Sequence, residues 1–316
     1  MLTSILLIVA GIILLYLGGE FLVRGAGSLA LRLGLPPMVA GLTVVGFATS
    51  TPELVASVQA VLANQGDIAV GNVIGSNTFN VAVILGLTAL ICPLKIGSQA
   101  IRFDAPLMLG VVILPVWVLY DRLVTRVEGG GLFMLIILYT VAVIRRAKRS
   151  PEAPQVLAEY EHGLPKVLKH AALDVVFIAS GIVLLIFGSK WLIYGSVTIA
   201  KAYGISEAFI ALTVIAAGTS TPELAASLVA AFRKQPDIAV GNLIGSNVFN
   251  VLCILGVAGL IRPTAAPGVA MLDVAVMITF AAALIPMFRS GGTLDRTEGV
   301  SLLLGYAVYL FWLWPK

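Results

Sequence analysis

Residues 42–54 read LTVVGFATSTPEL and residues 212–224 read LTVIAAGTSTPEL, while residues 67–77 and 237–247 read DIAVGNVIGSN and DIAVGNLIGSN. Both pairs stand 170 positions apart with no gap, and 29 of the 46 residues in 41–86 are identical in 211–256. The same offset relates Gly11 to Gly181, Gly25 to Gly195, Gly34 to Gly204, Gly86 to Gly256 and Pro93 to Pro263. Shared apolar composition does not reproduce a polar string such as Thr-Ser-Thr-Pro-Glu. The chain is a duplicated half, and its fold must let two copies of one unit complement each other.

Composition sets the solvent for that fold. Of 316 residues, 59% are hydrophobic and 11% charged, with a mean hydropathy of +1.03. A soluble domain is about 45–50% apolar and about 25% charged, so a water-soluble enzyme is excluded. A bilayer-crossing helix needs ~20 mostly apolar residues. Apolar runs of that kind lie near 3–22, 38–63, 68–91, 104–120, 131–147, 171–194, 207–233, 238–261, 270–289 and 298–314. The expected fold is an all-α polytopic membrane protein of about ten transmembrane helices. The hydrophilic stretch from Arg145 to Lys169 divides it into residues 1–147, a linker 148–169, and residues 170–316. Five spans per half is an odd number, so the second half enters the membrane from the opposite face. That is an inverted-topology repeat, which suits a machine presenting one central site to either side in turn.

Basic residues orient the chain. Loops after odd-numbered spans carry fourteen Lys and Arg, including Arg24, Arg32, Arg145, Arg146 and Arg233; the other side carries six, Arg122, Arg126, Lys190, Lys201, Arg262 and Lys316. Lys190 is counted with the six although its position also fits inside the sixth span. The richer side is cytoplasmic, which places both termini outside. The apolar start at Met1 reads as the first span and not as a removed signal peptide. A net charge of +4, spread over loops, gives no nucleic-acid surface, and no protein partner is evident. Cys92 and Cys253 lie in apolar runs as packing residues, and His162 and His170 fall in the polar stretch, so zinc and haem have no ligand set. No cofactor is expected.

The repeated polar residues carry the chemistry. Glu53 and Glu223 sit mid-span, where a carboxylate costs about 3 kcal/mol or more. The two halves are read as sharing no Lys or Arg at equivalent positions that could pair with them, so their counter-charge must come from a bound cation. Pro52 and Pro222 remove a backbone donor and free carbonyls near Ala48 and Gly218, and such backbone is tolerated in a membrane where it lines a cavity. Thr49, Ser50, Thr219 and Ser220 add hydroxyls on the same turns; Ser76, Asn77 and Asn80 recur as Ser246, Asn247 and Asn250 in the next span. The set is all oxygen, which hard cations prefer, and Mg²⁺ sheds its waters reluctantly. Two carboxylates balance one Ca²⁺ or two Na⁺.

GFATSTPEL with GNVIGSNTFN, repeated as AAGTSTPEL with GNLIGSNVFN, resembles the α-1 and α-2 repeats of the Ca²⁺/cation antiporter superfamily, and is most similar to prokaryotic sodium/calcium exchangers. The resemblance covers essentially the whole chain. It implies ten helices, with the second, third, seventh and eighth around four cation sites, and with helices one and six as a sliding pair in which Gly11, Gly18, Gly19 and Gly25 allow close approach. It implies that Glu53 and Glu223 bind both Ca²⁺ and Na⁺. The hydroxyls of Thr49, Ser50, Thr219, Ser220, Ser76 and Ser246, the backbone carbonyls of Gly46 and Ala216, and the central pair Asn80 and Asn250 complete the implied set. Many such exchangers carry Asp at the position of Asn250, so this chain has one carboxylate fewer. The expected activity is exchange of Ca²⁺ for Na⁺ by alternating access. Proton-coupled Ca²⁺ exchange is the alternative, since Glu53 and Glu223 can each take a proton; a passive channel would show a filter or charged rings.

Overall fold

A computed structural model describes residues 2–149, 170–203 and 216–313. The described residues are overwhelmingly helical. The first half runs α1 (Leu2–Arg32), α2 (Met38–Thr49), α3 (Thr51–Leu62), α4 (Gly66–Ile91), α5 (Ala100–Val118) and α6 (Arg126–Arg149). The second runs α7 (Ala171–Ala202), α8 (Ala216–Thr219), α9 (Thr221–Phe232), α10 (Pro236–Ile261), α11 (Met271–Arg289) and α12 (Arg296–Leu313). Among the described residues seven helices are long and apolar enough to cross a membrane, and α2 with α3, bent by 43° at Ser50, makes eight.

Each of the ten expected apolar runs overlaps helix, with two qualifications. The run 207–233 is described only from Ala216 onward, and α12 is 18 residues long with Arg296 and Glu298 in its first turn. The linker 148–169 lies, beyond Arg149, outside the described residues. Large apolar side chains stay exposed along the outer helices, among them Ile12 on α1, Leu138 on α6, Phe187 on α7 and Leu304 on α12. A belt of that kind is stable against lipid and not against water. The chain is a multi-pass membrane protein.

Three details depart from the sequence expectation. First, α1 does not end near residue 22 but continues ten residues to Arg32. Its late charges are neutralised in place: Glu20 accepts from Arg233, and Asp174 accepts from Ser28 Oγ and Arg32 Nε, each at 2.6 Å. Arg24 and Arg32, counted as loop residues, are therefore helical. Second, the molecule is not purely helical. Leu94–Lys95 (β1) pairs antiparallel with Thr293–Leu294 (β4), and Leu123–Val124 (β2) pairs with Thr264–Ala265 (β3). Third, Arg126 recurs as Arg296, outside the motif blocks, beside helix starts capped by Glu128 and Glu298. Their carboxylates accept from the backbone N–H groups of Thr125 and Asp295, at 2.8 and 3.0 Å.

Contacts between the halves are reciprocal. Leu94 faces Leu294 and Val124 faces Thr264, which is one pairing with 170 added to one partner and subtracted from the other. The same exchange relates the contact of Gly11 with Gly188 to that of Gly18 with Gly181, where α1 crosses α7. It also relates Gly86 on Gly299 to Gly129 on Gly256. A Cβ at Gly181 would lie 2.6 Å from the backbone nitrogen of Leu22, so only glycine permits this approach. At the centre sit α4 and α10, 67% and 83% buried over their most apolar stretch, against 22–39% for the other spans.

Candidate cation site

The break after Thr49 follows from sequence. Pro52 and Pro222 occupy the first turns of α3 and α9, where their missing N–H groups are not needed. Ser50 (φ −81°, ψ 8°) and Ser220 (φ −88°, ψ 10°) leave helical geometry just before them. Each break aims a serine and, three residues on, a glutamate toward the molecular centre. The serine of one half then serves the glutamate of the other. Ser50 Oγ donates to Glu223 Oε1 at 2.8 Å, and Ser220 Oγ donates to Glu53 Oε1 at 3.1 Å. All four side chains are buried.

Around this cross the expected residues converge. Ser76 Oγ lies 3.4 Å from Ser220 Oγ, and Ser246 Oγ lies 3.4 Å from Thr49 Oγ1. The carbonyl of Gly46, one of the two expected backbone ligands, accepts from Ser246 Oγ at 3.2 Å and faces Thr49 Oγ1 at 3.3 Å. Ala216, its counterpart, opens α8. Thr219 lies on the second broken turn, directly before Ser220. The freed carbonyl of Gly218 is taken up by Ser189 Oγ on α7 at 2.6 Å, so part of the backbone expected to be free is satisfied by protein.

Asn80 and Asn250 each begin a π-helical turn, Asn80–Leu85 and Asn250–Ile254, inside the two central helices. Such turns often mark functional positions, because they turn a side chain off the regular helical face. Asn80 Nδ2 donates to Asn247 Oδ1 at 3.2 Å, and Asn250 Nδ2 donates to Asn77 Oδ1 at 3.0 Å.

Four acceptors remain without a hydrogen-bond partner in this buried centre: Glu53 Oε2, Glu223 Oε2, Asn80 Oδ1 and Asn250 Oδ1. An unsatisfied buried acceptor costs about 1–3 kcal/mol, more when charged. No arginine or lysine forms an ion pair with either glutamate among the described residues, where the bridges are Glu20 with Arg24 and Arg233, and Asp174 with Arg32. No cluster of three or more His, Cys, Asp or Glu able to hold a metal occurs among the described residues. Two carboxylates with amide and hydroxyl oxygens are the donor set of a hard cation.

Two further pairs take part that motif reading did not single out as site residues. Asn72 Nδ2 donates to the Glu53 carbonyl and to Ser57 Oγ; Asn242 Nδ2 does the same for Glu223 and Ser227, at 3.2 and 2.9 Å in both halves. They hold the first turns of α3 and α9 in place. Their repetition as Gly-Asn at the 170 offset was the available signal. Asn77 and Asn247, noted for recurring, join the halves, with Asn77 Nδ2 donating to the Asn247 carbonyl at 3.2 Å.

The profile of the family described as sodium/calcium exchanger protein matches residues 3–145 and 173–314. The chain is 37% identical to a putative antiporter, CaxA, of Alkalimonas amylolytica, and the alignment covers 100% of both chains. It is 35% identical to the inner membrane protein YrbG of Escherichia coli K12, over 100% of this chain and 99% of that one. Its fold superposes on the sodium-calcium exchanger NCX_Mj, in crystals soaked with Na⁺ and Ca²⁺, with a TM-score of 0.82 at 27% identity over 97% of each chain. With a profile matched along nearly its whole length and full-length relatives above 30% identity, this chain belongs to the sodium/calcium exchanger family.

Proposed function

We propose that the chain is a secondary antiporter that exchanges Ca²⁺ for Na⁺ at one central site by alternating access. The observation that carries this reading is the set of four unpartnered buried oxygens, two carboxylate and two amide, in reciprocal positions. Ca²⁺ balances both glutamates at once, and Na⁺ competes for the same oxygens, so the two ions exclude each other. Glu53, Glu223, Thr49, Ser50, Thr219, Ser220, Ser76, Ser246, Asn80, Asn250 and the carbonyls of Gly46 and Ala216 supply the ligands. The likeness to the sodium-calcium exchanger NCX_Mj supports this choice of ions.

The same reading makes the chain ten spans in two inverted five-helix repeats, 1–147 and 170–316, in the plasma membrane with both termini outside. The strand pairings support it: β1 with β4 joins two loops assigned to the basic side, and β2 with β3 joins two assigned to the other.

Access is asymmetric in a way that suits alternation. A groove of about 610 Å³ runs between α3 and α7, with Pro52, Val55, Gln59, Lys190, Tyr194 and Thr219 on its walls. At the equivalent seam between α1 and α9 the counterparts of Pro52 and Gln59, Pro222 and Val229, are buried, and Gly19 packs on the Ala225 carbonyl. One seam is open while its repeat-related twin is closed. The test is ⁴⁵Ca²⁺ uptake into proteoliposomes under an imposed Na⁺ gradient and, separately, a pH gradient. Uptake driven by Na⁺ alone supports the proposal; uptake driven only by the pH gradient contradicts it.

A further inference from the structure

The two seams differ in charge as well as in opening. Adding 170 to Glu20 gives Lys190, so the repeat puts opposite charges at equivalent positions of α1 and α7. Glu20 is buried in the closed seam. It accepts from Arg233 Nε at 2.9 Å and again from the Arg233 Nη2 group, and Arg24 Nε lies 2.5 Å from its Oε1 as an ion-pair contact without hydrogen-bond geometry. Arg233 directly follows α9, so this pair ties one wall of the seam to the other. Lys190 lies on the wall of the open groove, exposed, and forms no ion pair among the described residues.

We infer that Glu20 and Lys190 are positioning residues that set the resting side of the transporter, by making one seam favourable to close and the other unfavourable. The inference rests on the alternating-access reading above. Opening the α1–α9 seam separates Glu20 from Arg233 and leaves a carboxylate without its partner across the seam. Closing the α3–α7 seam as its twin is closed takes Lys190 to the depth that Glu20 now occupies. The residues at the positions of Arg24 and Arg233 are then Tyr194 and Ala63, neither of which carries a negative charge. An ammonium withdrawn from water without a carboxylate is disfavoured. Both effects favour the state in which the α3–α7 groove is open. A sequence in which both positions were neutral would lack both of these effects. Ion binding then has to overcome them, through a difference in ion affinity between the two states.

Side-specific thiol labelling tests this on the full chain. In a Cys92→Ser, Cys253→Ser background, Val55→Cys reports the open groove and Val229→Cys the closed seam. A membrane-impermeant maleimide is applied to intact cells and to inside-out vesicles with neither Na⁺ nor Ca²⁺ present. The starting protein should label at residue 55 from one face and stay protected at residue 229. Arg233→Gln, Glu20→Gln and Lys190→Gln should each raise labelling at residue 229 from the opposite face, and lower it at residue 55, by roughly threefold or more. Arg233→Lys should restore the starting pattern. Unchanged labelling in Arg233→Gln and Lys190→Gln would overturn the inference, as would a rise at both probes together, which signals loosening and not a change of side. Because labelling is read without ions, a failure of Na⁺-driven Ca²⁺ flux would leave this result standing and the two readings separable.

Discussion

At the scale of single residues the site is a balance of charge against oxygen count. Asn80 and Asn250 are both neutral, so in the proposed site Glu53 and Glu223 alone offset bound cations. Ca²⁺ neutralises them, whereas three Na⁺ leave a net positive charge in a water-poor centre. Unit charges at ~4 Å interact by about 4 kcal/mol at an effective dielectric constant of ~20. Exchange should accordingly be less electrogenic than in relatives with Asp at this position. With the potential clamped by K⁺ and valinomycin, Asn250→Asp should steepen the voltage dependence of Na⁺-driven Ca²⁺ flux; a wild type already moving three Na⁺ per Ca²⁺, and unaffected by the substitution, would refute this. Asn242 tests the supporting hydrogen bonds. Its amide holds the Glu223 carbonyl and Ser227 Oγ, and its Oδ1 accepts from Thr49. Asn242→Ala should cost about 1–3 kcal/mol of stability and weaken Ca²⁺ binding together, read by thermal unfolding in detergent with and without Ca²⁺. Loss of stability with unchanged binding would assign Asn242 to packing alone.

At the scale of elements, glycine decides how closely α1 and α7 approach. A Cβ at Gly181 would sit 2.6 Å from Leu22 N and 2.9 Å from the Gly18 carbonyl, backbone atoms that cannot move aside cheaply. Gly181→Val should therefore cost about 1–3 kcal/mol or more through overpacking. Gly110→Ala on α5, where an added Cβ meets nothing within 4 Å, should leave the unfolding temperature unchanged or higher. Equal unfolding temperatures for the two variants would contradict the close crossing. Elements were also where sequence reading was weakest. Arg24 and Arg32 look like loop charges until Glu20, itself paired with the remote Arg233, is seen beside Arg24, and the remote Asp174 beside Arg32. The two-residue ladders are invisible to periodicity because strands that short show no alternation. The breaks at Ser50 and Ser220 were legible, since proline beside a serine in an apolar span has a fixed backbone consequence.

At the scale of the whole molecule, the duplication carried most of the information. An offset of 170 located both glutamates, both broken turns and both asparagine pairs. What it could not supply was the crossing of partners, in which Ser50 serves Glu223 and Ser220 serves Glu53, or the difference between the two seams. Both arise from how two copies dock, and a repeat shows only what they share. The proposed topology predicts that a reporter fused after Lys316 reads outside and one inserted near Glu159 reads cytoplasmic; both on one side would exclude inverted halves.

The central claim is that one pair of repeat-related carboxylates binds both ions. Equilibrium ⁴⁵Ca²⁺ binding to the purified chain in detergent, titrated with Na⁺, tests it without any gradient. Wild type should bind Ca²⁺ and release it as Na⁺ rises, while Glu53→Gln and Glu223→Gln, folded to the same unfolding temperature within a few degrees, should each lose most Ca²⁺ binding. Ca²⁺ binding of wild-type strength in either variant, still displaced by Na⁺, would contradict it.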